Sequence, residues 1–170
     1  MIKMENISLS YLNRAELWLC ISTLLYFLMN GAQIFETLIL VPKWTLSPPD
    51  NFKLLLDGPG TSLKNFWIIL HSLHEVTFIL AIIFCWKIDP VRNWLLVLFA
   101  VHMAVRVWTL SFFAPNIMDF QKVAADTSLG KDLVNRTALW QTLNYVRVGI
   151  FISISIGLVP LCIKLFSLRP

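Results

Sequence analysis

The stretch Asn65–Trp86, NFWIILHSLHEVTFILAIIFCW, decides the reading of this chain. A run of about 20 mostly apolar residues is what a helix rising 1.5 Å per residue needs to cross about 30 Å of hydrocarbon. Apart from a cysteine near its end, the only ionisable side chains in the run are His71, His74 and Glu75, all inside HSLHE. At 100° per residue His71 and Glu75 share a face and His74 falls in the same arc. The segment therefore reads as a membrane-spanning helix with one polar side.

Three further stretches have the same length and character: Leu17–Leu40, Asn93–Phe113 (which Pro115 is expected to stop) and Leu139–Leu165. With 57% apolar residues and only 14% charged, the chain is made for lipid as its main solvent. Most of the seven tryptophans lie near span ends, as an aromatic belt at the membrane interface requires. The expected fold is all-α: an antiparallel four-helix transmembrane bundle formed by residues 1–170 as a single multi-pass membrane domain. The first span is too long for the apolar core of a cleaved signal and lacks a small-x-small site after it, so it is read as staying in place.

Lys87 to Arg92 is a short link broken by Asp89-Pro90, which predicts that spans two and three form a tight antiparallel pair. The other two links, Lys43–Lys64 and Asn116–Arg136, are longer and fall together on the opposite face, with apolar pieces suited to interfacial helices or a lid. Lys and Arg divide evenly between the faces but are packed into shorter segments on the terminal side, which favours cytoplasmic termini. Cys20, Cys85 and Cys162 form no C-x-x-C and read as apolar space-fillers. No basic run with interleaved aromatics points to nucleic acid, so the expected partners are membrane lipids and a hydrophobic small molecule. The sequence leaves cofactor and oligomeric state open.

The informative signal is what the spans carry besides apolar residues. The first has Asn30, Gln33 and Glu36, the second His71, His74 and Glu75, the third His102 and Arg106, and the fourth Asn144 and Arg147. Charges at this depth cost at least about 2.5–3.5 kcal/mol each on insertion scales, so they pair inside the bundle or line a cavity. Counted from the face with the long links, Glu36, His71, Arg106 and Arg147 all lie about 7–12 Å deep at helical rise. Glu75 and His102 fall about one turn deeper, at roughly 5 Å per turn. Four separate stretches thus contribute to one layer, while the terminal half looks nearly free of charge. That asymmetry predicts a polar pocket open to one side. The competing reading makes the charges structural ion pairs, Glu36–Arg106 with Glu75–Arg147 or the crossed arrangement. A transporter would need polar groups continuing to the terminal face, where only Ser22, Thr23, Ser153 and Ser155 are offered.

Proton chemistry suits this residue set. His71, His74, Glu75 and His102 are the candidate catalytic residues, since imidazoles and carboxylates held in low dielectric serve as acids and bases. Glu36, Gln33, Arg106, Asn144 and Arg147 are candidate substrate-binding groups, the arginines stabilising a developing oxyanion. Trp108 and Trp140 would flank them with flat surface for a ring system. No metal site is assigned; if one exists, His71, Glu75 and His102 are its ligands, and a haem between His74 and His102 is the other redox alternative. The two membrane carboxylates are too few for a di-iron bundle. No G-x-S-x-G and no phosphate-binding loop occur.

Phe113-Ala114-Pro115 after the third span, then a polar loop, then Trp140-x-x-x-Asn144-x-x-Arg147, resembles the anthrone-oxygenase-like family of small four-helix integral membrane proteins. The first span running into Val41-Pro42 resembles the same pattern, over most of the chain. The resemblance implies a four-helix membrane bundle and, for some members, oxidation of aromatic polyketides without a known metal. The family pattern often has histidine at the position of Asn144, and HSLHE is an addition to it. The functional expectation is a small membrane enzyme doing acid–base or oxidative chemistry on a hydrophobic oxygen-bearing molecule: a polyketide, terpenoid or quinone-like compound.

Overall fold

A computed structural model describes residues 7–56, 58, 62–123 and 131–169. Among the described residues there is no strand; α1 (Leu9–Phe35), α2 (Val41–Thr45), α3 (Leu63–Phe84), α4 (Asp89–Trp108), α5 (Ala114–Val123) and α6 (Lys131–Phe166) carry nearly everything. Four continuous helical stretches, Leu9–Thr45, Leu63–Phe84, Asp89–Val123 and Asp132–Phe166, are long and apolar enough to cross a membrane. The chain is an all-α four-helix bundle of multi-pass membrane character.

Local chemistry sets the starts. Ser8 and Ser62 cap α1 and α3, their hydroxyls accepting the backbone N–H of Tyr11 and Asn65. These bonds satisfy amides that have no partner inside the helix. Asp89 and Pro90 open α4, an acid and a fixed φ where the helix dipole and the missing N–H favour both.

Pro115 does not stop the third span. Its ring lacks an N–H and crowds the carbonyl one turn back, and the chain absorbs this in a five-residue π-helical turn, Thr109–Phe113. The Ala114 N–H then reaches back to the Thr109 carbonyl, and the helix runs on as α5. The same device joins α1 to α2: a five-residue π turn, Glu36–Leu40, then Val41, whose N–H bonds to the Glu36 carbonyl, then Pro42. The expected boundaries are thereby corrected. The first span reaches from Leu9 to Thr45, and much of the expected loop Asn116–Arg136 is helix, up to Val123 and again from Lys131. Residues 124–130 of that link lie outside the described residues.

Around the bundle, α1 packs extensively on α3 and on α6, and α4 packs on α6. The backbones of α3 and α4 approach each other far less. The tight backbone pairing expected from their short link is corrected: the two helices meet through large side chains, Phe78 with Phe99, His74 with His102 and Glu75 with Arg106. Two apolar cores stabilise the bundle. The larger, at the terminal end, includes Leu12, Ala15, Leu19, Phe78, Leu95, Phe151 and Leu158. The smaller gathers Val41, Trp44, Phe52, Phe113, Phe120 and Trp140 at the other end. Its members come from α2, the 3-10 turn Asp50–Leu55, the second π turn, α5 and α6.

Candidate functional site

The polar residues of the four spans lie between these two cores. Asn30, Gln33 and Thr37 of the first span are buried, as are His71 and His74 of α3, His102 of α4 and Asn144 of α6. Glu36, Glu75, Arg106 and Arg147 are half-buried.

Two linked sets of contacts organise the layer. In the deeper one, the Tyr26 hydroxyl is 2.9 Å from His102 Nδ1, and the other nitrogen of that ring faces Glu75 Oε1 at 3.9 Å. Arg106 Nε donates to the same carboxylate oxygen at 2.6 Å. His74 stands edge-on to Tyr26 with ring centroids 4.3 Å apart, and 5.1 Å from the ring of His102. In the shallower set, Asn144 donates to Thr37 Oγ1 at 3.0 Å and accepts from Arg147 at 2.6 Å. The guanidinium of Arg147 lies 4.3 Å over the ring of Phe113, at cation–π distance. Glu36 is the carboxylate beside Arg147 and also neighbours Trp67. Of the crossed arrangement the Glu75–Arg106 ion pair is formed, while Glu36 feels the charge of Arg147 without an ion pair to it.

Hydrogen bonding in this layer is incomplete. Asn30 Oδ1, Gln33 Oε1, His71 Nδ1, both ring nitrogens of His74, His102 Nε2 and Arg147 Nε are buried and have no partner. Outside the layer, Ser22 Oγ is in the same condition. A neutral imidazole presents one donor and one acceptor, an amide oxygen accepts and a guanidinium donates, so the set offers both halves of a hydrogen bond.

Several expectations change. On the side of the long links, Trp44, Phe52, Phe113, Phe120 and Trp140 pack together in the smaller core. Trp140 Nε1 donates to the Phe113 carbonyl at 3.2 Å, and Trp108 packs on Phe113 with centroids 5.1 Å apart. Phe113 itself supplies the aromatic surface on Arg147; the two tryptophans stand behind it. Among the described residues no group of three or more His, Cys, Asp or Glu side chains is arranged to hold a metal ion, the conditional set of His71, Glu75 and His102 included. The rings of His74 and His102 touch edge to face, with centroids 5.1 Å apart. The terminal half is not free of charge: Glu16, only 4% exposed, pairs with Arg169. That carboxylate was hidden by starting the first span at Leu17. Its hydrogen bonds hold the Arg169 guanidinium's pKa above its usual value.

Sequence reasoning missed Tyr26 and Phe151, and gave Ser155 only as a polar group toward the terminal face. Tyr26 stands one turn before Asn30 on the stripe that continues to Gln33 and Thr37, so the helical period alone points to it. Asn30 Nδ2 donates to Ser155 Oγ at 2.8 Å and to the Phe151 carbonyl at 3.2 Å. Phe151, central among Tyr26, His71 and His102, carries no sequence signal that separates it from lipid-facing phenylalanines. No family model, curated protein or solved structure matches the chain.

Proposed function

We propose that the protein is a small multi-pass membrane enzyme that binds a hydrophobic, oxygen-bearing organic molecule in the layer between its two apolar cores and performs proton-transfer chemistry on it. One observation carries this reading: the unpartnered buried polar atoms contributed by all four spans. An unsatisfied buried polar group costs about 1–3 kcal/mol. Seven such atoms therefore amount to roughly 7–21 kcal/mol, as much as the whole stability of an ordinary domain at about 5–15 kcal/mol. Ion pairing alone leaves that cost standing; a hydrogen-bonding guest, with water beside it, lowers it.

In this reading His71, His74 and His102 exchange protons with the guest, and Glu75 orients His102. Arg106, Arg147, Gln33, Asn144 and Glu36 orient its oxygen atoms, while Trp108 and Trp140 support the aromatic cover above. The resemblance to the anthrone-oxygenase-like proteins favours a polyketide-, terpenoid- or quinone-like guest and admits an oxidative step. The short basic segments on the terminal side favour cytoplasmic termini.

Extraction of the protein in phosphatidylcholine nanodiscs, followed by mass spectrometry, tests the function. A neutral oxygenated organic molecule should co-purify with the wild type and be lost from His74→Leu. Recovery of phospholipid alone from both proteins contradicts the reading. Elemental and optical analysis of the same sample tests the metal or haem alternative.

A further inference from the structure

Each end of the polar layer is closed by packing: the aromatic cluster of Trp44, Phe113 and Trp140 on one side, the larger core on the other. A guest as large as a ring system does not reach the histidines along the bundle axis without unpacking one of them. The sides differ from one another. The element order of the first half, helix, π turn, helix and then a long helix, recurs in the second half, and both halves start at the same face. If the halves packed alike, the α3/α4 seam would match the α1/α6 seam. The backbones of α1 and α6 approach closely, whereas those of α3 and α4 stand farther apart with side chains alone bridging them.

The loose seam is also where charge reaches the surface. Glu75 and Arg106 meet across it at 2.6 Å, with 29% and 16% of their side chains exposed at a depth where the outward residues, such as Leu73, Val76 and Val107, are apolar. Immediately behind Glu75 lies the unpartnered His102 Nε2, at 3.9 Å, and behind that the unpartnered nitrogens of His74. On the terminal side of the ion pair, Phe78 and Phe99 close the seam with centroids 5.2 Å apart.

We propose that the α3/α4 seam is a lateral binding site and entry route from the lipid, latched by the Glu75–Arg106 pair, for amphiphiles with a neutral hydroxyl- or carbonyl-bearing head and a hydrocarbon tail. This rests on the ligand reading above. The head is neutral because two carboxylates and two guanidiniums already cancel in the layer. An ionised head would displace Glu75 from Arg106 and leave a carboxylate unpaired in an apolar setting, which is costly. A neutral head engages the imidazole nitrogens and leaves the charge balance intact. The tail lies along the lipid-facing edge of the seam, among side chains that already face outward, such as Leu73, Val76 and Val107.

The experiment is photolabelling of the full chain in phosphatidylcholine nanodiscs with a 4-alkylphenol carrying a mid-chain diazirine, with attachment sites read by mass spectrometry. Attachment is expected on α3 between His71 and Phe78 and on α4 between Phe99 and Arg106. It should be competed at least tenfold better by 4-nonylphenol than by nonylbenzene or decanoate. Glu75→Gln should speed labelling severalfold, and the charge-swapped pair Glu75→Arg with Arg106→Glu should slow it again. Should either variant fail to fold, the wild-type map and its competition pattern decide alone. Competed labelling on α2, the 3-10 turn and α5, or along the α1/α6 seam, overturns lateral entry at α3/α4 while leaving the ligand site standing. Equal competition by decanoate overturns the neutral head. No competed labelling at any position overturns the ligand-binding function itself.

Discussion

Asn144 joins the first span to the fourth with one amide, donating to Thr37 and accepting from Arg147. Single polar contacts between membrane helices are worth about 0.6 kcal/mol and at most about 1.7 kcal/mol. Asn144→Leu should therefore cost about 1 kcal/mol in a reversible unfolding assay in mixed micelles and leave the bundle folded. The Glu75–Arg106 pair behaves differently. Removing one partner strands the other in an apolar setting, for about 3 kcal/mol, reduced to the extent that the pair is exposed. Replacing both with leucine should restore much of that loss, and the same denaturation assay checks it. If the pair were purely structural, the double-leucine protein would keep any guest the wild type binds; the account predicts that it folds and loses it. Most of these residues were legible in the sequence because a polar side chain in an apolar run announces itself. Phe151 was not, since a phenylalanine looks alike facing lipid or a histidine, whereas Tyr26 could have been found from its place on the Asn30–Gln33–Thr37 stripe.

The π turns are the elements that place the layer. Each sits one residue before a proline, one beginning at Glu36 and the other at Thr109, a turn beyond Arg106. Deleting Ser111 should regularise the second turn and rotate α5 by about 100°. That rotation carries Phe120 away from Trp44 and Phe52, against which it now packs at 6.0 and 5.0 Å. The expected outcome is a lower unfolding temperature with faster proteolysis around α5, measured by limited trypsin digestion. Proline was read as a stop because in water a missing amide and a crowded carbonyl usually end a helix. In an apolar environment, breaking the ladder exposes more backbone than widening one turn does. Glycine tells a parallel story at the α4/α6 contact. A Cβ on Gly157 would meet Leu98 Cδ2 at 3.2 Å, whereas Gly149 has open space around it. Gly157→Leu should destabilise by about 1–3 kcal/mol through overpacking. Gly149→Ala should be neutral or gain up to about 1 kcal/mol from helix propensity. Thermal unfolding of the two variants side by side separates them.

At the scale of the molecule, four spans and the antiparallel alternation were legible because hydrocarbon thickness and hydrogen-bond satisfaction leave few alternatives. What the sequence did not carry is which neighbours pack tightly. A short link between α3 and α4 fixes their ends and says nothing about how closely their backbones pack; α3 packs on α1 and α4 on α6 instead. The cover over the polar layer was hidden for a related reason: its aromatic residues come from five separate segments, none apolar enough alone to read as a core. The proposed function puts a hydrogen-bonding guest in the layer between the two cores. Three histidines make it directly accessible, because every imidazole in the chain lies in that layer. The decisive measurement is solid-state nitrogen NMR of histidine-labelled protein in phosphatidylcholine bilayers, titrated with 4-nonylphenol and, separately, nonylbenzene. The account predicts saturable shifts of the His74 and His71 ring nitrogens with the phenol and none with the hydrocarbon. Imidazole resonances that stay unchanged through the phenol titration would contradict it.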